Sequence, residues 1–214
     1  MREVIDTLDT MVGDADYVVT HAWETCTGQA VTERVGPLIR DRDKAVNRGE
    51  RKIRRLVVEH LSLNPGQDVS GCLAMLLIAK DVERIGDHGR NLFDVADRLS
   101  GRVPEFHFFS EMNGLYGELA QMLTLLRRAV SESNAETARA ILDRYVQIKP
   151  RMKAFIPGLY DAGLPCDEAV ATTLLARSLR RIIAHTGNAA SGIVFPVETI
   201  DFISHGLADE AKDR

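Results

Sequence analysis

Two carboxylates stand four residues apart in Lys80-Asp81-Val82-Glu83-Arg84-Ile85-Gly86-Asp87-His88. On a helix, Glu83 and Asp87 project from one face with Cβ atoms about 5–6 Å apart, and like charges at that spacing cost an isolated helix about 0.2–0.5 kcal/mol. Something must offset the repulsion. A bound cation would do so, because hard cations and iron accept carboxylate oxygens, and so would an ion pair to Lys80, Arg84 or Arg90. Upstream, Asp43, Asn47 and Glu50 place oxygen donors at i, i+4 and i+7 of another helical face. Antiparallel packing of the two segments, which the short connection Asn64-Pro65-Gly66 favours, would bring Asp43 and Asn47 towards Glu83 and Asp87.

The elements that must hold these residues are helices. Val82, Ile85, Gly89, Leu92, Ala96 and Leu99 recur at spacings of three and four, the apolar seam of a helix packed in a bundle. This predicts a helix over 69–99, opened by Pro65-Gly66 and closed by Ser100-Gly101. A helix before it runs from Pro37, suited to a first turn, to Leu61, and a first helix from Glu3 to Thr32. After a proline-containing linker over 101–110 the plan returns: helices over 111–131, 135–160 bent or interrupted at Pro150 and Pro157, and 167–194. No segment alternates with the period of two that a strand needs.

The second half repeats the first. At an offset of 97, Gly66–Asn91 lies over Gly163–Asn188 with 8 of 26 positions identical, among them Arg84/Arg181, His88/His185 and Asn91/Asn188. The expected fold is all-α, six helices as two tandem three-helix bundles: a first unit over 1–100, the linker over 101–110, and a second unit over 111–214.

The wording around Glu83 and Asp87, with Asn91 after it, resembles the acidic signature of the PhoU family. Asp43-Lys44-Ala45-Val46-Asn47 resembles that family's helix-two motif, and Ala176-Arg177-Ser178-Leu179-Arg180-Arg181-Ile182 resembles the opening of its second-repeat signature. The resemblance runs over about residues 3–205. It implies a non-enzymatic, cytoplasmic and often dimeric regulator of phosphate uptake and phosphate-dependent signalling. Such a protein acts on a phosphate ABC transporter ATPase and a sensor histidine kinase, and reaches the membrane only through these partners. It also implies metal clusters on the acidic motifs. Here the second unit departs from the pattern: Glu83 falls over Arg180 and Asp87 over Ala184. The expectation is therefore one metal site, for iron, zinc or another divalent cation, in the first unit only, with Glu83 and Asp87 as core ligands and Asp43 and Asn47 beside them.

Composition narrows the alternatives. A formal net charge of −4 over 214 residues argues against general nucleic-acid affinity, which rests on positive charge. The charged start Met1-Arg2-Glu3-Val4-Ile5-Asp6 lacks the apolar stretch of a secretory signal, and no apolar run approaches the ~20 residues of a membrane span. Cys26, Cys72 and Cys166 show neither zinc-site nor disulfide spacing. A rival reading, a carboxylate-bridged di-metal enzyme, needs Glu-x-x-His pairs, and Glu33, Glu59 and Glu118 have no histidine three residues on. Arg48, Arg51, Lys52 and Arg55 form a basic stripe expected to be a solvated face. His88 and His185 are expected to pack or hydrogen-bond rather than ligate, and Phe106–Phe109 to plug the core beneath the linker.

Overall fold

In the computed structural model, which describes residues 2–203 and 207, six helices follow one another. They are α1 (Arg2–Cys26), α2 (Thr32–Leu63), α3 (Val69–Leu99), α4 (Phe109–Ser131), α5 (Ala135–Gly158) and α6 (Cys166–Val194). Short 3₁₀ turns cover Val103–Glu105 and Val197–Thr199, and no strand occurs among the described residues. Met1, 204–206 and 208–214, which the sequence reading assigned to the two units, lie outside the described residues.

Most helix limits fall within two residues of the periodicity, and three depart from it. α1 stops at Cys26 rather than Thr32, because Gly28 adopts φ +74° and turns the chain. The turn is fixed by a close approach to the end of α3: Gly101, at φ +80°, brings its Cα side against Gly28 so tightly that a Cβ there would meet the Gly28 Cα at 2.9 Å. Only glycine combines a left-handed φ with that clearance. α2 begins at Thr32, a turn and more before Pro37, which is carried inside the helix. α5 likewise runs through Pro150 without the expected interruption. Pro150 and Val146, whose carbonyl loses its partner there, are both exposed, so water can satisfy that oxygen.

Each set of three helices packs as antiparallel neighbours. Met11 on α1 lies against Gly49 on α2, Lys52 reaches Glu3 at 2.9 Å, and Val46 on α2 lies against Gly86 on α3. Between the sets, α3 crosses α6 and α1 crosses α4. α3 and α6 are antiparallel: Ile78 meets Gly192, Asp81 meets His185, and His88 stacks on His185 with ring centroids 5.6 Å apart. Trp23 stacks on Tyr116 at 4.9 Å across α1 and α4. Because equivalent helices meet each other, the two units are related by an approximate two-fold axis passing close to His88 and His185. The apolar residues form one continuous core through both units, from Val4 to Ile203. Phe106 and Phe109 pack against it and Phe108 meets Phe155 edge-on, as the linker reading expects.

Small residues set the distance between helices. A Cβ at Gly89 would stand 2.9 Å from Val19 Cγ2 and 3.3 Å from the Val19 backbone nitrogen, whereas nothing lies within 4 Å of one at Gly117, on the exposed face of α4. Gly89→Leu is expected to cost about 1–3 kcal/mol through overpacking, and Gly117→Ala to gain up to about 1 kcal/mol from helix propensity. Thermal melts of the two variants should move in opposite directions.

Candidate functional site

The acidic residues singled out by spacing lie on the facing sides of α2 and α3. Asp43, Glu50 and Glu83 are buried carboxylates, each about 7% exposed, while Asp87 is partly exposed at the edge. The seam position of Val46 against Gly86 fixes this register: residues one position away from a buried seam residue are carried into the groove between the helices. Burial raises the Asp43 carboxyl above its ordinary range. Arg90 opposes that shift, and the neighbouring Glu83 charge adds to it. Asp43 and Glu83 are therefore brought together. Asp87 is not drawn in with them; it pairs with Arg84 at 3.3 Å. Asn47 turns its amide back to donate to the Asp43 carbonyl on its own helix at 3.0 Å.

Cations already stand among these acids. Lys80 Nζ lies 2.8 Å from Glu83 Oε2 and 3.7 Å from Glu50 Oε1, bridging α3 to α2. Arg54 holds Glu50 at 2.6 Å, Arg84 approaches Glu83 at 3.8 Å, and Arg90 reaches Asp43 Oδ2 at 3.7 Å. Of the cations named as alternatives to a metal, Lys80 and Arg84 pair with Glu83 and Asp87, while Arg90 pairs with Asp43 and Asp94 instead. Among the described residues no three acidic, histidine or cysteine side chains converge as the ligands of one metal would. One donor is left over: Asp43 Oδ1 is buried without a hydrogen-bond partner. The donor types suit a hard divalent cation, and the arrangement they adopt is an ion-pair network.

The basic stripe on α2 is in part tied to the protein itself, through Lys52 to Glu3 and Arg51 to the Asn47 carbonyl at 3.2 Å.

Among the described residues, the α5–α6 groove carries no counterpart of this network. The buried positions of α2 and α5 superpose at an offset of 95: Asp43, Val46, Ile53 and Val57 fall over Ala138, Ile141, Ile148 and Met152. Glu50 then corresponds to Tyr145 and Asn47 to Leu142, and on α6 Glu83 corresponds to Arg180 and Asp87 to Ala184. Apolar and aromatic side chains fill the groove that acids line in the first unit. Tyr145 packs over Gly187 there, and burial raises its phenol pKa against the opposing charge of Arg180.

A second polar cluster lies on the two-fold axis. His185 Nδ1–H donates to Asp81 Oδ1 at 2.7 Å, which fixes the proton on that nitrogen. Burial lowers the His88 pKa to about 4, and the charges of His185, Arg181, Arg84 and Arg177 push it the same way. Asp201, just after the last 3₁₀ turn, is raised by burial and by Asp81, against His185. Spacing within one helix gives no sign of the Asp81–His185 pair. The signal is the repeat itself, since antiparallel copies of one helix bring equivalent residues face to face.

The fold and site define a helical scaffold of two related three-helix units, with a buried charge network in the first. Residues 33–96 match the family described as PhoU domain, the stretch that contains Asp43, Asn47, Glu83 and Asp87. Two solved structures share the fold across nearly the whole chain. PhoU from Pseudomonas aeruginosa is 20% identical, with 90% of this chain and 94% of that one covered at a TM-score of 0.78. The phosphate transport system regulatory protein PhoU from Streptococcus pneumoniae is also 20% identical, with coverage of 92% and 95% and a TM-score of 0.71. No curated protein sequence matches. Residues 33–96 are thus similar to the PhoU domain, and the fold is similar to those of the two solved PhoU structures over 90–92% of the chain.

Lys80 neutralises two buried carboxylates at once, and with 39% of its side chain exposed solvent screening moderates its contribution. Lys80→Met is expected to destabilise by about 1–2 kcal/mol in urea denaturation, because it leaves buried charge uncompensated. Adding Glu83→Gln should recover part of that loss, and full additivity of the two changes would contradict the pairing.

Proposed function

We propose that the protein is a non-enzymatic regulator of phosphate uptake and of phosphate-dependent signalling. It acts in the cytoplasm, as a homodimer, by binding a phosphate ABC transporter ATPase and a sensor histidine kinase. The observation that carries this reading is the PhoU domain over 33–96, within a fold similar to a phosphate transport system regulatory protein along 92% of the chain. No helix among the described residues is long and apolar enough to cross a membrane, which agrees with a protein that reaches the transporter by docking.

In the same reading a divalent cation, iron, zinc or another, is held in the first unit by Glu83 and Asp43, with Asp87 and the Asn47 side-chain oxygen completing the set once Asp87 leaves Arg84 and Asn47 leaves the Asp43 carbonyl. It would supply positive charge that Lys80, Arg84 and Arg90 provide in the ion-pair network, and Asp43 Oδ1, which lacks a partner, is the donor most ready to accept it. The second unit, with Arg180 and Ala184 at the equivalent positions, holds none.

Deleting the gene in its own host should switch on the phosphate-starvation response in phosphate-replete medium, read by a starvation-promoter reporter. An unchanged reporter would remove the regulatory reading. Metal content of protein purified without chelator should fall in the Glu83→Ala, Asp87→Ala double variant. Undiminished metal would sink the ligand assignment and leave the regulatory role standing.

A further inference from the structure

Cations that serve internal acids in the first unit persist in the second without them. At the offset of 97, Lys80 corresponds to Arg177 and Arg84 to Arg181. Lys80 and Arg84 pair with Glu50, Glu83 and Asp87. Their counterparts have lost those partners, since Tyr145, Arg180 and Ala184 now occupy the acidic positions. Arg177 and Arg181 are exposed and make no ion pair among the described residues, whereas Arg54, Arg84, Arg90, Arg128 and Arg144 each do. They lie close to Arg84 across the α3–α6 seam, for all three act on His88.

The same face of α6 continues into apolar surface. Val170, Leu174, Arg177 and Arg181 succeed one another at spacings of four, three and four, which places them on one side of the helix. Val170 and Leu174 are 55% and 45% exposed, and Tyr160 beside them is 87% exposed. With Ile156, Leu159 and Leu164 they line a groove of about 480 Å³ between the end of α5 and the start of α6. Exposed tyrosine and arginine in and beside an apolar concavity are the residue types that anchor protein partners. A concave groove gives a lipid surface little to rest on.

We propose that this face docks a segment of a partner protein in which an apolar anchor, seated in the Tyr160/Val170/Leu174 groove, is followed by acidic residues that pair with Arg177 and Arg181. Seven residues separate Leu174 from Arg181, about 10 Å along the helix at 1.5 Å per residue. The acids of a helical partner therefore stand about two turns from its apolar anchor. The inference rests on the regulatory reading for its biological sense, and gives that reading a docking face and a partner chemistry.

The probe is a fluorescein-labelled helical peptide with two leucines one turn apart and a run of glutamates starting two turns on, titrated with the full chain by fluorescence anisotropy. Saturable, salt-sensitive binding is expected, weakened about tenfold or more, a difference of about 1.4 kcal/mol, by Arg177→Glu with Arg181→Glu. Leu174→Asp should weaken it comparably with less change in salt dependence. Thermal melts should show both variants folded, because every substituted side chain is exposed. Absence of saturable binding would overturn the proposal. So would equal binding of a scrambled peptide, insensitivity to the variants, or stronger binding to anionic phospholipid vesicles than to the peptide. Sedimentation showing that the variants abolish a dimer without affecting the peptide would assign the face to a second copy of the chain instead. A failed titration beside a constitutive starvation reporter in the deletion strain would discard this face and keep the regulator.

Discussion

Everything in the molecule is arranged around the contact of α3 with α6. Two copies of one helix meet antiparallel, so each residue near the axis faces its own counterpart or a close neighbour of it, and the sequence there must suit both sides of the same interface. Gly192 admits Ile78, and His88 stacks on His185 at the axis. Burial and the surrounding arginines keep His88 unprotonated near neutral pH. On the two helices themselves Asp81 supplies the carboxylate for His185, and its counterpart Ser178 does not duplicate it. A symmetric pair of aspartates would bury two negative charges beside two imidazoles, and an asymmetric pair needs one hydrogen bond.

Away from the axis the two copies separate chemically. In the first unit buried acids on α2 and α3 are matched by lysine and arginine from the same helices, so the groove is closed by charge. In the second unit the groove is closed by apolar and aromatic packing around Tyr145, and the arginines inherited from the shared plan have no acid left inside. Burial of an unpaired carboxylate is costly, whereas an exposed arginine without a partner costs almost nothing. That asymmetry explains how the acids could be replaced while the cations stayed.

The seam residues Val82 to Leu99 made α3 legible to within a residue, because a buried stripe at spacings of three and four has no other regular solution. The repeat was legible for the same reason, through Arg84/Arg181 and His88/His185. The end of α1, the start of α2 and the continuity of α5 through its prolines were not. The stop at Cys26 depends on Gly28 meeting Gly101 from another helix, and the tolerance of Pro150 depends on which side of α5 faces water; neither is encoded in local spacing. At the site, spacing correctly placed Asp43 near Glu83 and named the competing cations. In this structure Asp87 pairs with Arg84 and Asn47 with the Asp43 carbonyl, which a shared helical face does not reveal, because it does not decide whether a side chain turns inward or finds a partner on its own helix. Asp81 with His185 lay wholly beyond a reading of single helices.

That Lys80 is held by internal acids, while Arg177 makes no ion pair among the described residues, is tested most directly by the stability cost of removing each. Equilibrium unfolding of Arg177→Met should stay within about 0.5 kcal/mol of the parent protein, as for an ordinary surface change, while Lys80→Met at the equivalent position is clearly destabilised. Equal losses at the two positions would mean that Arg177 serves an internal partner after all, and would contradict the account.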